Sequence, residues 1–262
     1  FSFDFRATIW NLLMNPEGDL LVLEIRDHEN HLVSFSAINL ETKQLLWDGL
    51  TFEESWWLGL TALEKNILLI HEFEDSQNPE NQKLFALDVS KQEVLWAVSD
   101  FTYLCTEGKQ VVGFTREGEE RYFSTIDLLN GKISTLGETA ARFIQQKAKA
   151  KQTNTKTDFP IHYTEENAYF QNFSEFLESK LYIKAVKACD YLEYGNKIII
   201  SYYSIEKENL ANFIVVFDES GQQLLHEKLD ENLEGVGMDT FFRTNDQLIF
   251  IKNKTQILSY AI

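Results

Sequence analysis

Two stretches of this chain are near copies of each other, and they limit its fold more than any other feature. Phe35-Ser-Ala-Ile-Asn-Leu-Glu-Thr-Lys-Gln-Leu-Leu-Trp47 reads as strand, tight turn, strand, and it recurs as Leu84-Phe-Ala-Leu-Asp-Val-Ser-Lys-Gln-Glu-Val-Leu-Trp96. Looser copies run from Phe123 to Ile133 and from Ile214 to Leu225. Ahead of each copy lies a hairpin of a second kind, an apolar residue, a polar turn and then an apolar run. These hairpins start at Leu13, Leu60, Leu104 and Tyr191, and a fifth starts at Phe241. Their centres carry turn chemistry, such as Pro16-Glu17-Gly18 and Gly195-Asn196-Lys197. The runs that follow, such as Leu20-Leu-Val-Leu23, are too short and too apolar for surface helices and suit strands covered on both faces.

Hairpin plus repeat makes a four-stranded antiparallel module. The starts are separated by 47, 44, 87 and 50 residues. A four-stranded unit at a period of roughly 40–50 is a propeller blade, because one such sheet cannot bury both of its faces alone. The predicted fold is therefore an all-β propeller forming a single domain over 1–262. Its blades are placed at about 8–50, 56–98, 101–137 and 186–229, with a last one from about 236. The last has only three strands of its own, and the alternating Phe1-Ser-Phe-Asp-Phe5 is expected to supply the fourth, which removes an open sheet edge. The interval of 87 carries an insertion at 138–180. Residues 138–158 read as a helix followed by a polar tail, 159–170 as a possible extra hairpin, and Phe173, Phe176 and Leu177 fall at helical spacing. Five blades are expected, with six, one of them degenerate, as the alternative.

Ala86-Leu-Asp-Val-Ser-Lys-Gln-Glu-Val-Leu-Trp96 resembles the quinoprotein-type propeller repeat, Ala-x-Asp-x-x-Thr-Gly-x-x-x-Trp. Ala37 to Trp47 is similar, with Asn39 at the Asp position. The Trp10-Asn-Leu-Leu opening, Trp47 and the Tyr163/Tyr169-Phe170 region resemble an uncharacterised bacterial propeller family of unknown function. That resemblance implies an architecture and no activity. The quinoproteins' adjacent cysteines and calcium-binding constellation have no counterpart here, so no cofactor is expected. In the repeat, the Asp or Asn is expected to fix the turn by accepting a backbone N–H two residues on, and the Trp to wedge between neighbouring sheets.

The net charge of −17 disfavours a nucleic-acid backbone or an anionic membrane surface as partner. No apolar run approaches the length of a membrane span. Cys105 and Cys189 stand alone and are expected to be buried free thiols of a cytoplasmic protein, although the chain opens at Phe1 and upstream residues are expected to have been removed or to be missing from the sequence. Loops between second and third strands fall on the same side as the blade-to-blade connections and the insertion. That side receives Asp27, Glu29, Glu53, Glu54, Glu74, Asp75, Glu80 and Glu206 among other acids, so an acidic face is expected.

No nucleophile elbow, phosphate loop or zinc motif occurs, so neither a catalytic nor a metal-binding residue is assigned. Asp27, His28, Glu29 and His31 offer imidazole and carboxylate to a metal, but a solvated loop explains them as well. The binding candidates are aromatic: Trp56 and Trp57 after a blade connection, and Tyr163, Tyr169 and Phe170 in the insertion. They form either packing or an exposed groove for a peptide, sugar or other ligand. The leading expectation is a non-catalytic scaffold or binding module, with a protein or small-ligand partner on the acidic, insertion-bearing face. The alternative is a metal-dependent hydrolase or lactonase with carboxylates converging at the central channel.

Overall fold

The computed structural model describes residues 1–73, 82–151 and 156–262. Glu74, Asp75 and Glu80 of the expected acidic face, and part of the polar tail, lie outside them. The chain divides into two compact units, Ala7–Lys156 and Phe1–Arg6 with Thr157–Ile262. The first strand, β1 (Ser2–Asp4), belongs to the second of these.

The Ala7–Lys156 unit holds three four-stranded antiparallel sheets. Blade 1 is β2 (Thr8–Met14), β3 (Leu20–Asp27), β4 (Leu32–Asn39) and β5 (Gln44–Leu50). Blade 2 is β6 (Leu58–Glu64), β7 (Ile67–Phe73), β8 (Gln82–Asp88) and β9 (Glu93–Val98). Blade 3 is β10 (Thr102–Glu107), β11 (Gln110–Glu117), β12 (Glu120–Asp127) and β13 (Ile133–Thr135). Strand alternation sends successive residues to opposite faces, so the apolar run Ile67-Leu-Leu-Ile70 serves two cores. Leu68 and Ile70 pack with Val22 and Phe35 of blade 1, whereas Ile67 and Leu69 pack with Val111 and Ile126 of blade 3. The far face of blade 3, at Val112 and Phe114, is covered by Ala141 and Ile144 of α1 (Glu138–Lys151).

The repeat residues lock these blades together. Asp88 Oδ1 accepts the N–H groups of Ser90 and Lys91, and Asp127 Oδ1 those of Leu129 and Asn130. Asn39 does the same for Thr42. The residue after each of these, Leu40, Val89 or Leu128, is buried and donates its N–H to the hairpin turn of its own blade, at Asp19, Asn66 or Lys109. The carbonyls of Val89 and Leu128 serve the preceding blade. Trp47 Nε1 donates to Val89 O at 2.7 Å and Trp96 Nε1 to Leu128 O at 2.9 Å. The tryptophans thus wedge between sheets as expected, and each satisfies its polar N–H on the next blade.

In the other unit, β14 (Thr157–Asp158) and β15 (Ile161–Thr164) precede α2 (Phe170–Leu181). Blade 4 follows as β16 (Val186–Tyr194), β17 (Lys197–Glu206), β18 (Asn209–Asp218) and β19 (Gln223–Leu233). Blade 5 is β20 (Phe241–Thr244), β21 (Gln247–Lys252) and β22 (Gln256–Ala261), completed by β1 pairing β22 from Ser2↔Leu258 to Asp4↔Gln256. The fold is thus an all-β propeller of five blades, with the N-terminal strand in the last sheet as expected. The insertion does not hide a sixth. The expected extra hairpin is replaced by two short strands that go to different sheets, β15 to the first-strand edge of blade 4 and β14 to that of blade 5. Helix α2 covers one face of blade 4 through Phe170 and Leu177, while the other face, at Ile199 and Val216, packs on blade 5.

Candidate functional site

The seam between blades 1 and 2 is the most elaborate polar and aromatic construction in the Ala7–Lys156 unit. It starts from a bulge. In β2 the register jumps between Ile9 and Asn11, so Trp10 has no cross-strand partner and its ring turns outward, 59% exposed. On β3, Glu24 and Arg26 share a face, two residues apart. The Arg26 guanidinium carbon lies 5.6 Å from the Trp10 ring centre and 5.1 Å from that of Trp56. Its Nε donates to Glu24 Oε1 at 2.7 Å, one terminal nitrogen to Leu58 O at 2.6 Å and the other to Trp56 O at 3.3 Å. Glu24 is 2% exposed, and its other oxygen accepts the Leu60 N–H. That amide lies beside a second bulge, between Leu60 and Ala62. A buried carboxylate and a guanidinium are therefore mutually neutralised and tied to the backbone of the next blade, which is the condition for keeping such a pair.

Two histidines close the arrangement. His28 meets the rings of Trp10 at 5.8 Å and Trp56 at 5.2 Å edge-on, and His31 meets Trp56 at 5.3 Å. The imidazoles face tryptophan, and Asp27 caps its own turn by accepting from Glu29, Asn30 N and Asn30 Nδ2. Those bonds, the one from the Asn30 side chain foremost, hold the Asp27 carboxyl below its ordinary range. Among the described residues, no group of three or more His, Cys, Asp or Glu side chains is placed to hold a metal. Behind the seam, burial, helped by the Arg26 charge, lowers the His71 imidazole to about 4, so it is neutral, with Nδ1 2.9 Å from Thr61 Oγ1.

Trp56 and Trp57, both expected at a binding surface, stand here. Glu54 Oε1 accepts their backbone N–H groups at 2.7 and 2.8 Å, which fixes the chain as it enters β6 and lowers the Glu54 carboxyl, the Trp57 bond being the largest cause. Trp56 is partly buried under His28 and His31, whereas Trp57 is 46% exposed. Beside them runs a groove of about 370 Å³ lined by Phe52, Glu53, Glu54, Glu72, Lys83 and Phe85, together with Val94 and Ala97 of β9.

In the other unit the insertion aromatics mostly pack. Phe170 is buried, because the first turn of α2 lays its ring onto blade 4 with Tyr202 and Phe217, so it is not presented at a surface. Tyr163 packs at a tilt against Phe173, which in turn meets Tyr191. Tyr169 remains exposed just ahead of the helix. Sequence reasoning missed a second constellation nearby. His162 Nδ1, on β15, donates to Asp190 Oδ1 at 2.6 Å, and the other oxygen of this buried carboxylate accepts both Thr240 N–H, at 3.0 Å, and Thr240 Oγ1, at 2.8 Å. It also missed Trp10 and the Glu24–Arg26 pair as site residues. The one signal available was a charged couple inside the otherwise apolar run Leu20-Leu-Val-Leu-Glu-Ile-Arg26.

Residues 14–96, the stretch that contains most of this seam, match a family described as "Domain of unknown function (DUF4905)". The expected likeness to an uncharacterised propeller family is thereby met. No curated protein matches the chain. Among solved structures, it is similar to the β-propeller domain of the Trilobed protease from Pyrococcus furiosus, at 14% identity and a TM-score of 0.36, over 96% of this chain and 68% of that one. It is similar to an uncharacterised protein, lmo1340, from Listeria monocytogenes EGD-e, at 7% identity and 0.36, over 99% and 94%. It also matches a prolyl endopeptidase at 13% identity and 0.34, over 92% of this chain but only 37% of that one. None of these likenesses bears on activity.

Proposed function

We propose that this protein is a non-catalytic binding module that recognises a protein partner through the Trp10–Trp56–Trp57 surface. The observation that supports this reading is the pairing of two exposed tryptophans with a rigid support. Trp10 stacks on a guanidinium whose nitrogens are tied to a buried carboxylate and to two carbonyls, and the backbone that carries Trp57 is anchored by Glu54. Exposed aromatic area held this stiffly loses little entropy on binding, which is how tryptophan hot spots work.

The rival is a hydrolase. Its metal-dependent form lacks a ligand set among the described residues. The observation on its side is His162, whose Nδ1 is fixed by a buried carboxylate and whose Nε2 makes no hydrogen bond among the described residues, as a general base requires. One experiment separates the two readings. A random peptide display library is selected on the wild-type chain and on the double variant Trp10→Ala/Trp57→Ala, alongside an ester and lactone hydrolase panel run with and without added divalent metal. Enrichment on the wild type that is lost in the variant supports the binding module. Turnover abolished by His162→Ala, with no enrichment, replaces it.

A further inference from the structure

The groove beside Trp57 has a composition of its own. Its floor is aromatic, with the rings of Phe52 and Phe85 5.0 Å apart and edge to face. Phe52 comes from the β5–β6 connection and Phe85 from β8, so the groove sits on the face of blade 2 that packs against blade 1. Where that face runs out of apolar partners it turns acidic, with Glu53 and Glu54 on the connection and Glu72 on β7. Lys83, the single cation of the lining among the described residues, sits directly across the strand pair from Glu72, with Nζ 3.0 Å from Oε2. Among the described residues one carboxylate is therefore matched by a cation and two are not. Glu54 is kept ionised by the Trp56 and Trp57 amides on Oε1, which leaves Oε2 to accept from elsewhere. Glu53 is exposed.

We infer that this groove takes the side chain of an arginine from an extended basic peptide segment of a protein partner. The inference rests on the binding-module reading and names the partner's chemistry. An arginine fits each part of the site. Its methylene stem lies along Val94, its guanidinium meets the partly exposed Phe52 ring as a cation on a π face, and its N–H fork is answered by Glu53 and Glu54. The volume of about 370 Å³ admits an arginine side chain with the neighbouring backbone. The same seam already holds a guanidinium in this way, since Arg26 lies between two tryptophan rings with a carboxylate on its Nε. The charge of the whole chain, −17, steers a basic segment toward it and a second copy of the chain away.

The test uses a synthetic peptide taken from the display selection and a twin in which the conserved arginine is replaced by citrulline, which keeps the shape and removes the charge. Both are titrated calorimetrically into the wild type, Glu53→Lys and Trp57→Ala. Glu53 is exposed, so the Glu53→Lys fold is expected to be intact, and the citrulline comparison needs no variant at all. The expected result is a loss on the order of tenfold for citrulline on the wild type, a similar loss for the arginine peptide on Glu53→Lys, and much less than their product when both changes are combined. Affinity of the arginine peptide should also fall with added salt. Equal binding of the twins, or a Glu53→Lys variant that binds as the wild type while Trp57→Ala does not, overturns the arginine groove and leaves the binding module standing. Failure to select any peptide overturns both.

Discussion

Trp96 offers the sharpest test of how the blades hold together. Its ring is 9% exposed, lies in the core shared by blades 2 and 3, and sends its N–H to Leu128 O at 2.9 Å. The fit is close enough that Gly131 opposite has no room for a side chain, since a Cβ there would lie 2.7 Å from Trp96 Cβ. Truncation to alanine removes an aromatic worth about 3–5 kcal/mol in a core and strands the Leu128 carbonyl. Trp96→Ala should therefore cost about 4 kcal/mol, which for a chain of this size lowers Tm by roughly 10 °C. Trp96→Phe separates the two contributions. It keeps most of the packing and loses the hydrogen bond, so it should cost about 1–3 kcal/mol. Urea denaturation followed by far-UV circular dichroism reads both, with the slope unchanged if only the native state is affected. A Trp96→Ala variant within about 1 kcal/mol of the wild type would refute the blade-to-blade lock, since no smaller figure is consistent with a buried, hydrogen-bonded indole.

Two further outcomes follow from charges inside the Ala7–Lys156 unit. Arg26→Met leaves the buried Glu24 carboxylate without its cation and should destabilise by about 3–5 kcal/mol, while the added change Glu24→Gln should recover part of that loss; denaturation of the single and double variants measures it. Burial, with the Glu17 and Glu107 carboxylates adding to it, raises Glu64 from its ordinary 4.5 to about 7. Its folded form thus prefers the proton, so the stability it contributes is complete below pH 4.5 and is lost as pH rises through about 7. Glu64→Gln should flatten the stability profile between these values and gain on the order of 1–2 kcal/mol at pH 8, after allowance for solvent screening of a partly exposed group.

The architecture was legible because its signals are local and repeated. Asp88, Asp127 and Asp218 each hold a turn by accepting an N–H two residues on, and a residue type at a fixed offset within eleven positions announces that bond directly. Trp47 and Trp96 could be assigned to the seams for the same reason. The candidate site was only half visible. Trp56 and Trp57 stood out as a pair, but Arg26 reaches Trp56 and Leu58 across some thirty residues, and nothing in an apolar strand says which neighbour its one ion pair will meet. Trp10 escaped because a bulge, not the alternation of the strand, sets its direction. His162 and Asp190 meet only because β15 joins the first-strand edge of blade 4, where the sequence suggested a hairpin closing on itself. Phe170 could be read either way, because an aromatic at the start of a helix looks alike whether the helix is free or docked.

The central claim is that recognition takes place at the seam of blades 1 and 2. Hydrogen exchange of the wild-type chain, with and without a selected peptide, measures this directly. The account predicts slowed exchange at the β3–β4 loop and across residues 52–60, with the other unit unchanged. Slowing centred on β15 and the region of His162 and Thr240, with residues 52–60 unaffected, would contradict it.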